Sequence, residues 1–183
     1  LKLHQLPLAQ RLELFAQICD AVQHAHQRGV IHRDLKPGNI LVECITNPDG
    51  LLTFRPKVLD FGVARTVATA GRGTHATTVF TSPGLMMGTL PYMSPEQVSG
   101  DTTDVDIRSD VYSLGVVLFR MLSGRLPHEL TNIPSHEAVR KICEEVPQKL
   151  GALDRAFRGD LETIVARAIE KDRARRYQSA ADL

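Results

Sequence analysis

Two short segments concentrate the side chains that could do chemistry. The first is His32-Arg33-Asp34-Leu35-Lys36-Pro37-Gly38-Asn39 and the second is Asp60-Phe61-Gly62. Each follows a short apolar stretch. Asp34 and Lys36 stand two apart in an irregular loop, so a carboxylate and an ammonium can face one small volume. Asn39 and Asp60 each offer a hard oxygen, the donor type that Mg²⁺ prefers, and few such donors are needed because water and substrate phosphates complete its shell. A proton acceptor, a cation and two metal ligands suit phosphoryl transfer, where catalysis is mostly positioning and neutralisation of charge. A lone His-Arg-Asp or Asp-Phe-Gly is an ordinary turn. The signal lies in both together, in this order, with Lys36 and Asn39 at their offsets.

The elements that must position these residues can be read from periodicity. Pro7 opens a helix in which Leu8, Leu12, Phe15, Cys19, Val22 and His26 recur at helical spacing, with Gly29 as its C-cap. Val30-Ile31, Ile40-Leu41-Val42 and Lys57-Val58-Leu59 read as short strands, with Asn47-Pro48-Asp49-Gly50 as a hairpin-type turn. Residues 65–90 carry little apolar periodicity and much Thr, Gly, Ser and Ala, and a loop of that length is usually functional or mobile. Residues 109–123 are apolar nearly all round and end at Gly124, which predicts a helix through the centre of a domain. Residues 135–146 predict an amphipathic helix with Val139, Ile142 and Val146 on one side. Asp160 is expected to cap another, carrying Leu161, Ile164, Val165, Ala168 and Ile169. The fold class is α+β, a mainly helical body with a small strand-and-loop patch that carries the unusual residues.

Composition narrows the function classes. The chain has 183 residues, enough for one domain with a sizeable core. Lys plus Arg is 22 against 21 for Asp plus Glu, so bulk charge gives no reason to expect a nucleic-acid partner. Cys19, Cys44 and Cys143 are three in number and widely spaced, which argues against a disulfide scaffold and a structural zinc site and fits a cytoplasmic setting. The longest apolar run, residues 114–122, contains Arg120 and is far short of the roughly 18–20 residues of a membrane span. Gly71-Arg72-Gly73-Thr74-His75-Ala76 fits a dinucleotide pattern, but it neither follows a predicted strand nor opens an apolar helix, so it reads as chance. His24 and His26 lie two apart on a helix and do not face each other, so no metal pair is expected.

The sequence resembles the C-terminal lobe of a serine/threonine protein kinase, especially of bacterial type, over nearly its whole length. Residues 32–39 resemble the catalytic loop and Asp60-Phe61-Gly62 the Mg²⁺-binding motif. Gly88-Thr89-Leu90-Pro91-Tyr92-Met93-Ser94-Pro95-Glu96 resembles the end of the activation segment, residues 60–96. Ser109-Asp110-Val111-Tyr112-Ser113-Leu114-Gly115 resembles the start of the central buried helix, about 109–123. Ser94 stands where the family commonly has Ala. The resemblance implies a protein-kinase-like fold and the substrates MgATP and protein Ser/Thr hydroxyls. It implies Asp34 as catalytic base, Lys36 at the transferred phosphoryl group, Asn39 and Asp60 on Mg²⁺, and Leu41 beneath the adenine. Thr89 would bond near Asp34 and Lys36 and favour Ser/Thr substrates. Glu96 would pair with Arg176, and Asp110 would hold the catalytic loop backbone. His32, Phe61 and Gly62 would be packing and turn elements.

Arg33 and Arg65 would receive a phosphorylated activation loop, with Thr74, Thr77, Thr78, Thr81 and Ser82 as candidate acceptors. The same resemblance leaves parts wanting. No glycine-rich phosphate loop, Val-Ala-x-Lys strand or partner Glu precedes the catalytic loop. The expectation is therefore a fragment whose N-terminal lobe lies upstream in cis, inactive by itself and exposing apolar surface. The first residue, Leu1, and the helix-start pattern of the last five residues point the same way. A membrane anchor elsewhere in a longer protein stays compatible with this. The alternative is a pseudokinase or scaffold lobe used for protein binding.

Overall fold

The computed structural model describes residues 6–46, 48, 50, 52–61, 88–100 and 105–183. Helix α1 spans Leu8–His26 and buries Leu14, Phe15, Ile18, Cys19 and Val22 along one stripe. A 3-10 turn at Pro37–Asn39 leads into strand β1, Ile40–Thr46, which pairs antiparallel with β2, Leu52–Val58. Ile40 faces Val58 and Val42 faces Pro56 in the register, and Val42, Phe54 and Val58 turn one face of the hairpin onto the core. After a 3-10 turn at Leu90–Tyr92 come α2, Pro95–Val98, and α3, Ile107–Ser123. Helices α4 (Ser135–Glu144), α5 (Leu150–Leu153) and α6 (Asp160–Ala168) follow, with 3-10 turns at Arg155–Phe157 and Arg173–Arg175.

Helix α3 is the axis. Thirteen of its seventeen residues are buried, which is what an all-round apolar sequence requires. Asp106 caps its start by accepting the Arg108 N–H, and Gly124 ends it in the left-handed region at φ 72°. Gly115 is where α6 crosses. A Cβ there would stand 2.7 Å from the Ala168 Cβ and 2.8 Å from the Ile169 Cγ2, so only glycine permits this approach. Among the described residues, no helix is long and apolar enough to cross a membrane.

Several boundaries differ from the sequence expectation. Val30-Ile31 forms no strand. The Val30 N–H returns to the Ala25 carbonyl, and beyond Ile31 the His32 and Arg33 amides donate to the Asp110 carboxylate, so these backbone bonds go to a helix end and a side chain. Helix α1 ends at His26, three residues before Gly29, whose φ of 74° makes the turn. Helix α4 stops at Glu144, and Val146 is 80% exposed rather than on the apolar side. It precedes Pro147, which disfavours helical backbone at Val146. Gly159 occupies the N-cap of α6, and Asp160 sits in its first turn. Residues 179–183 form a turn in which the Ser179 hydroxyl accepts the Asp182 N–H at 3.3 Å and donates to its carboxylate at 2.8 Å.

Candidate active site

The loop of residues 32–39 is held from beneath before it offers anything to a substrate. Asp110, fully buried in the first turns of α3, accepts the His32 N–H on Oδ2 and the Arg33 N–H on Oδ1, each at 2.8 Å. His26, from the end of α1, donates through Nε2 to the same Oδ2 at 2.8 Å. Three donors on one carboxylate satisfy an ion that burial would otherwise make costly. His32 is itself fully buried, and its Nε2–H donates to the Leu59 carbonyl at 2.8 Å. Its Nδ1 accepts the Asp34 N–H at 3.3 Å, and its ring lies 4.8 Å from that of Phe61. One imidazole thus ties the two segments together.

At the surface of this base, four predicted side chains converge: Asp34, Lys36, Asn39 and Thr89. Lys36 Nζ donates to both Asp34 carboxylate oxygens, at 3.2 and 3.0 Å, and to the Thr89 hydroxyl at 2.7 Å. Asn39 Nδ2 donates to the Asp34 carbonyl at 2.8 Å and to Asp34 Oδ2 at 3.0 Å. With both amide hydrogens turned to Asp34, the Asn39 oxygen is the atom directed elsewhere. The Leu59 N–H donates to the Asn39 carbonyl at 2.8 Å, which places Asp60 one residue from Asn39's own backbone bond. Asp60 holds a left-handed φ of 57° and Arg33 one of 66°, unusual for residues with a side chain. The two segments therefore adopt specified, locally strained conformations.

The Asn39 amide and the Asp60 carboxyl each carry a hard oxygen, the donor type suited to a divalent cation that takes few protein ligands. Among the described residues no group of three His, Cys, Asp or Glu could hold a metal. Leu41, on the hairpin face turned from the core, is 54% exposed.

Beneath the site, α3 also holds the segment that follows Thr89. Arg176, with a fully buried side chain, donates to both Glu96 oxygens at 2.7 and 2.8 Å. It also donates to the carbonyls of Arg108, Glu170 and Lys171. The Ser109 hydroxyl donates to Glu96 at 2.6 Å, and the Ser113 hydroxyl to the Tyr92 carbonyl at 2.7 Å. Burial alone would raise Glu96, but Arg176 and Ser109 outweigh it and hold the carboxyl below its usual range. Arg120 also donates to the Tyr92 hydroxyl.

Gly62, Arg65, Thr74, Thr77, Thr78, Thr81, Ser82 and the Gly71 pattern lie outside the described residues. A cavity of about 660 Å³, lined by Phe119, Leu150, Val165 and Lys171 among others, includes none of the residues of the two segments. Sequence reasoning missed His26, Ser94, Gln97 and Ser109. His26 falls on the buried stripe of α1, four residues after Val22, and a histidine there needs a partner. That was its available signal.

Residues 4–182 match the protein kinase domain family. The chain is 38% identical over 172 residues to the serine/threonine-protein kinase PknB of Mycobacterium tuberculosis, covering 94% of this chain and 25% of that protein. It is 37% identical over 178 residues to PknB of Mycobacterium leprae, covering 97% and 26%. To the serine/threonine-protein kinase Pkn1 of Myxococcus xanthus it is 36% identical over 170 residues, covering 93% and 22%. The chain thus spans about a quarter of the length of these relatives. In structure it resembles the PknI kinase domain of M. tuberculosis at a TM-score of 0.59, with 24% identity, covering 97% of this chain and 52% of that one. A likeness at that identity speaks to the fold. Matched over nearly its whole length and surrounded by relatives of the serine/threonine kind, the chain belongs to the protein kinase family.

Proposed function

We propose that this chain is the C-terminal lobe of an ATP-dependent protein serine/threonine kinase, with Asp34 as the catalytic base. The observation that carries the reading is the convergence of Lys36 and Asn39 on the Asp34 carboxylate, with Thr89 on the other side of Lys36. Asp34 would orient the substrate hydroxyl and accept its proton. Lys36, already bridging Asp34 and Thr89, would meet the transferred phosphoryl group as a point charge. Asn39 and Asp60 would hold Mg²⁺, which supplies charge neutralisation at the phosphates when bound. Leu41 would pack under the adenine, and its exposure on the hairpin supports a surface meant to be covered. An N-terminal lobe supplied in cis would complete the nucleotide site. Arg33 Nε is buried with no partner among the described residues, which supports a role in receiving an anionic activation loop.

The test is phosphate transfer from MgATP to a general protein substrate by the full-length protein that carries this chain. Phosphoserine and phosphothreonine are read by mass spectrometry. Asp34→Asn and Asp60→Ala should each lower the rate on the order of a hundredfold or more. Unchanged binding of protein partners with no transfer by the unaltered protein would instead make this a scaffold lobe.

A further inference from the structure

Arg33 sits immediately before Asp34 with its backbone in the left-handed region. Such a conformation is strained for a residue with a side chain and persists only where its surroundings fix it. Both polar groups of the Arg33 backbone are taken by side chains distant in sequence. Its N–H goes to Asp110 on α3, and its carbonyl accepts from Gln97 Nε2 on α2 at 2.8 Å. The Asp110 bond was expected from the family resemblance. The Gln97 bond was not.

Gln97 is 8% exposed and Ser94 fully buried. Gln97 Oε1 accepts the Ser94 N–H at 3.0 Å and the Ser94 hydroxyl at 3.2 Å. A backbone N–H can only donate and the Arg33 carbonyl can only accept, so a single orientation of the amide serves both neighbours. Ser94 thereby aims the Gln97 NH₂ at Arg33. Glu96, the residue before Gln97, is committed to Arg176 and Ser109 and does not compete.

We infer that Gln97 is a positioning residue for phosphoryl transfer, oriented by Ser94, which couples the end of the activation segment to the backbone that aims Asp34. The inference rests on the kinase reading above. A plain helix-capping role is the rival. Capping needs only Oε1 and is served as well by glutamate. The Arg33 bond needs a donor.

Gln97→Glu separates the two. Its carboxyl keeps an oxygen for Ser94, but when ionised it sets a second oxygen against the Arg33 carbonyl. When protonated it donates there again. In the full-length protein, kcat of Gln97→Glu should fall roughly tenfold at pH 8 with the KM for ATP unchanged. The deficit should shrink at least about threefold at pH 6, because a buried carboxyl titrates upward. Gln97→Leu should show a deficit of similar size that does not vary with pH. Ser94→Ala should lose less, since the backbone donor remains. A Gln97→Glu enzyme with unaltered kcat, or with a deficit independent of pH, overturns the inference.

Hydrogen exchange keeps this distinct from failure of the kinase reading. If the unaltered protein transfers no phosphate, Gln97→Leu should still speed exchange of the Arg33 and Asp34 amides at least about fivefold. Unchanged exchange there overturns the coupling.

Discussion

In the first turns of α3, Ser109, Asp110 and Ser113 are buried and polar, whereas the buried residues from Val116 to Leu122 are all apolar. The polar half reaches outward. Its side chains bond the backbone of His32 and Arg33 on one side and the Tyr92 carbonyl and Glu96 on the other, two segments far apart in sequence. The apolar half packs against Leu150, Phe157, Val165 and Ile169 in the core. Apolar contact is not directional and tolerates small shifts, so it supplies stability without fixing an angle. A carboxylate with three donors fixes both position and orientation, at the risk of a high penalty when one partner is lost. One helix thus divides the work of holding the fold from that of aiming the loop.

Breaking the polar side should cost most. Arg176→Met strands Glu96 and three carbonyls in a buried setting, and urea unfolding should show a loss of about 4 kcal/mol. Adding Glu96→Gln should recover part of it, the non-additivity of a shared pair. On the apolar side, Leu118→Ala opens a cavity at a residue 2% exposed and should cost about 3 kcal/mol. Amide exchange at residues 32–36 should stay unchanged. Gly115→Ala places a methyl 2.7 Å from Ala168 and should cost about 2 kcal/mol, part of which Ala168→Gly restores.

The smallest effect concerns pH. His128 accepts from Lys171 Nζ at 2.9 Å. Burial, then Lys171 and Lys141, pushes His128 down from 6.5 to about 4. Between those values the unfolded chain takes a proton that the folded chain refuses. Stability is therefore full above pH 6.5 and declines as pH falls toward 4, by about 1 kcal/mol once partial solvent contact is allowed for. His128→Gln should flatten that part of the pH–stability curve.

What was legible in the sequence follows the same division. Asp34, Lys36 and Asn39 lie within six residues, so loop spacing alone brings them near one another. The apolar run of α3 declared its burial through periodicity. Gln97 meets Arg33 across 64 residues, and His26 meets Asp110 across 84. Periodicity reads a glutamine or histidine on a helix as surface or stripe, never as a bond to a particular distant group. Ser94 with Gln97 three residues on does carry a capping pattern, yet nothing local says where the other end of the amide points. Strand Val30-Ile31 failed for the same reason: the Val30 N–H turns back to the end of α1, and the His32 N–H that follows goes to a side chain 78 residues away.

The division of α3 is tested most directly by comparing kcat of Asp110→Asn and Leu118→Ala in the full-length protein, at a temperature where both remain folded. The account predicts that Asp110→Asn lowers kcat at least about a hundredfold, the cost of a misplaced base. Leu118→Ala should hold kcat within about threefold despite its lost stability. Equal losses from the two substitutions would contradict it.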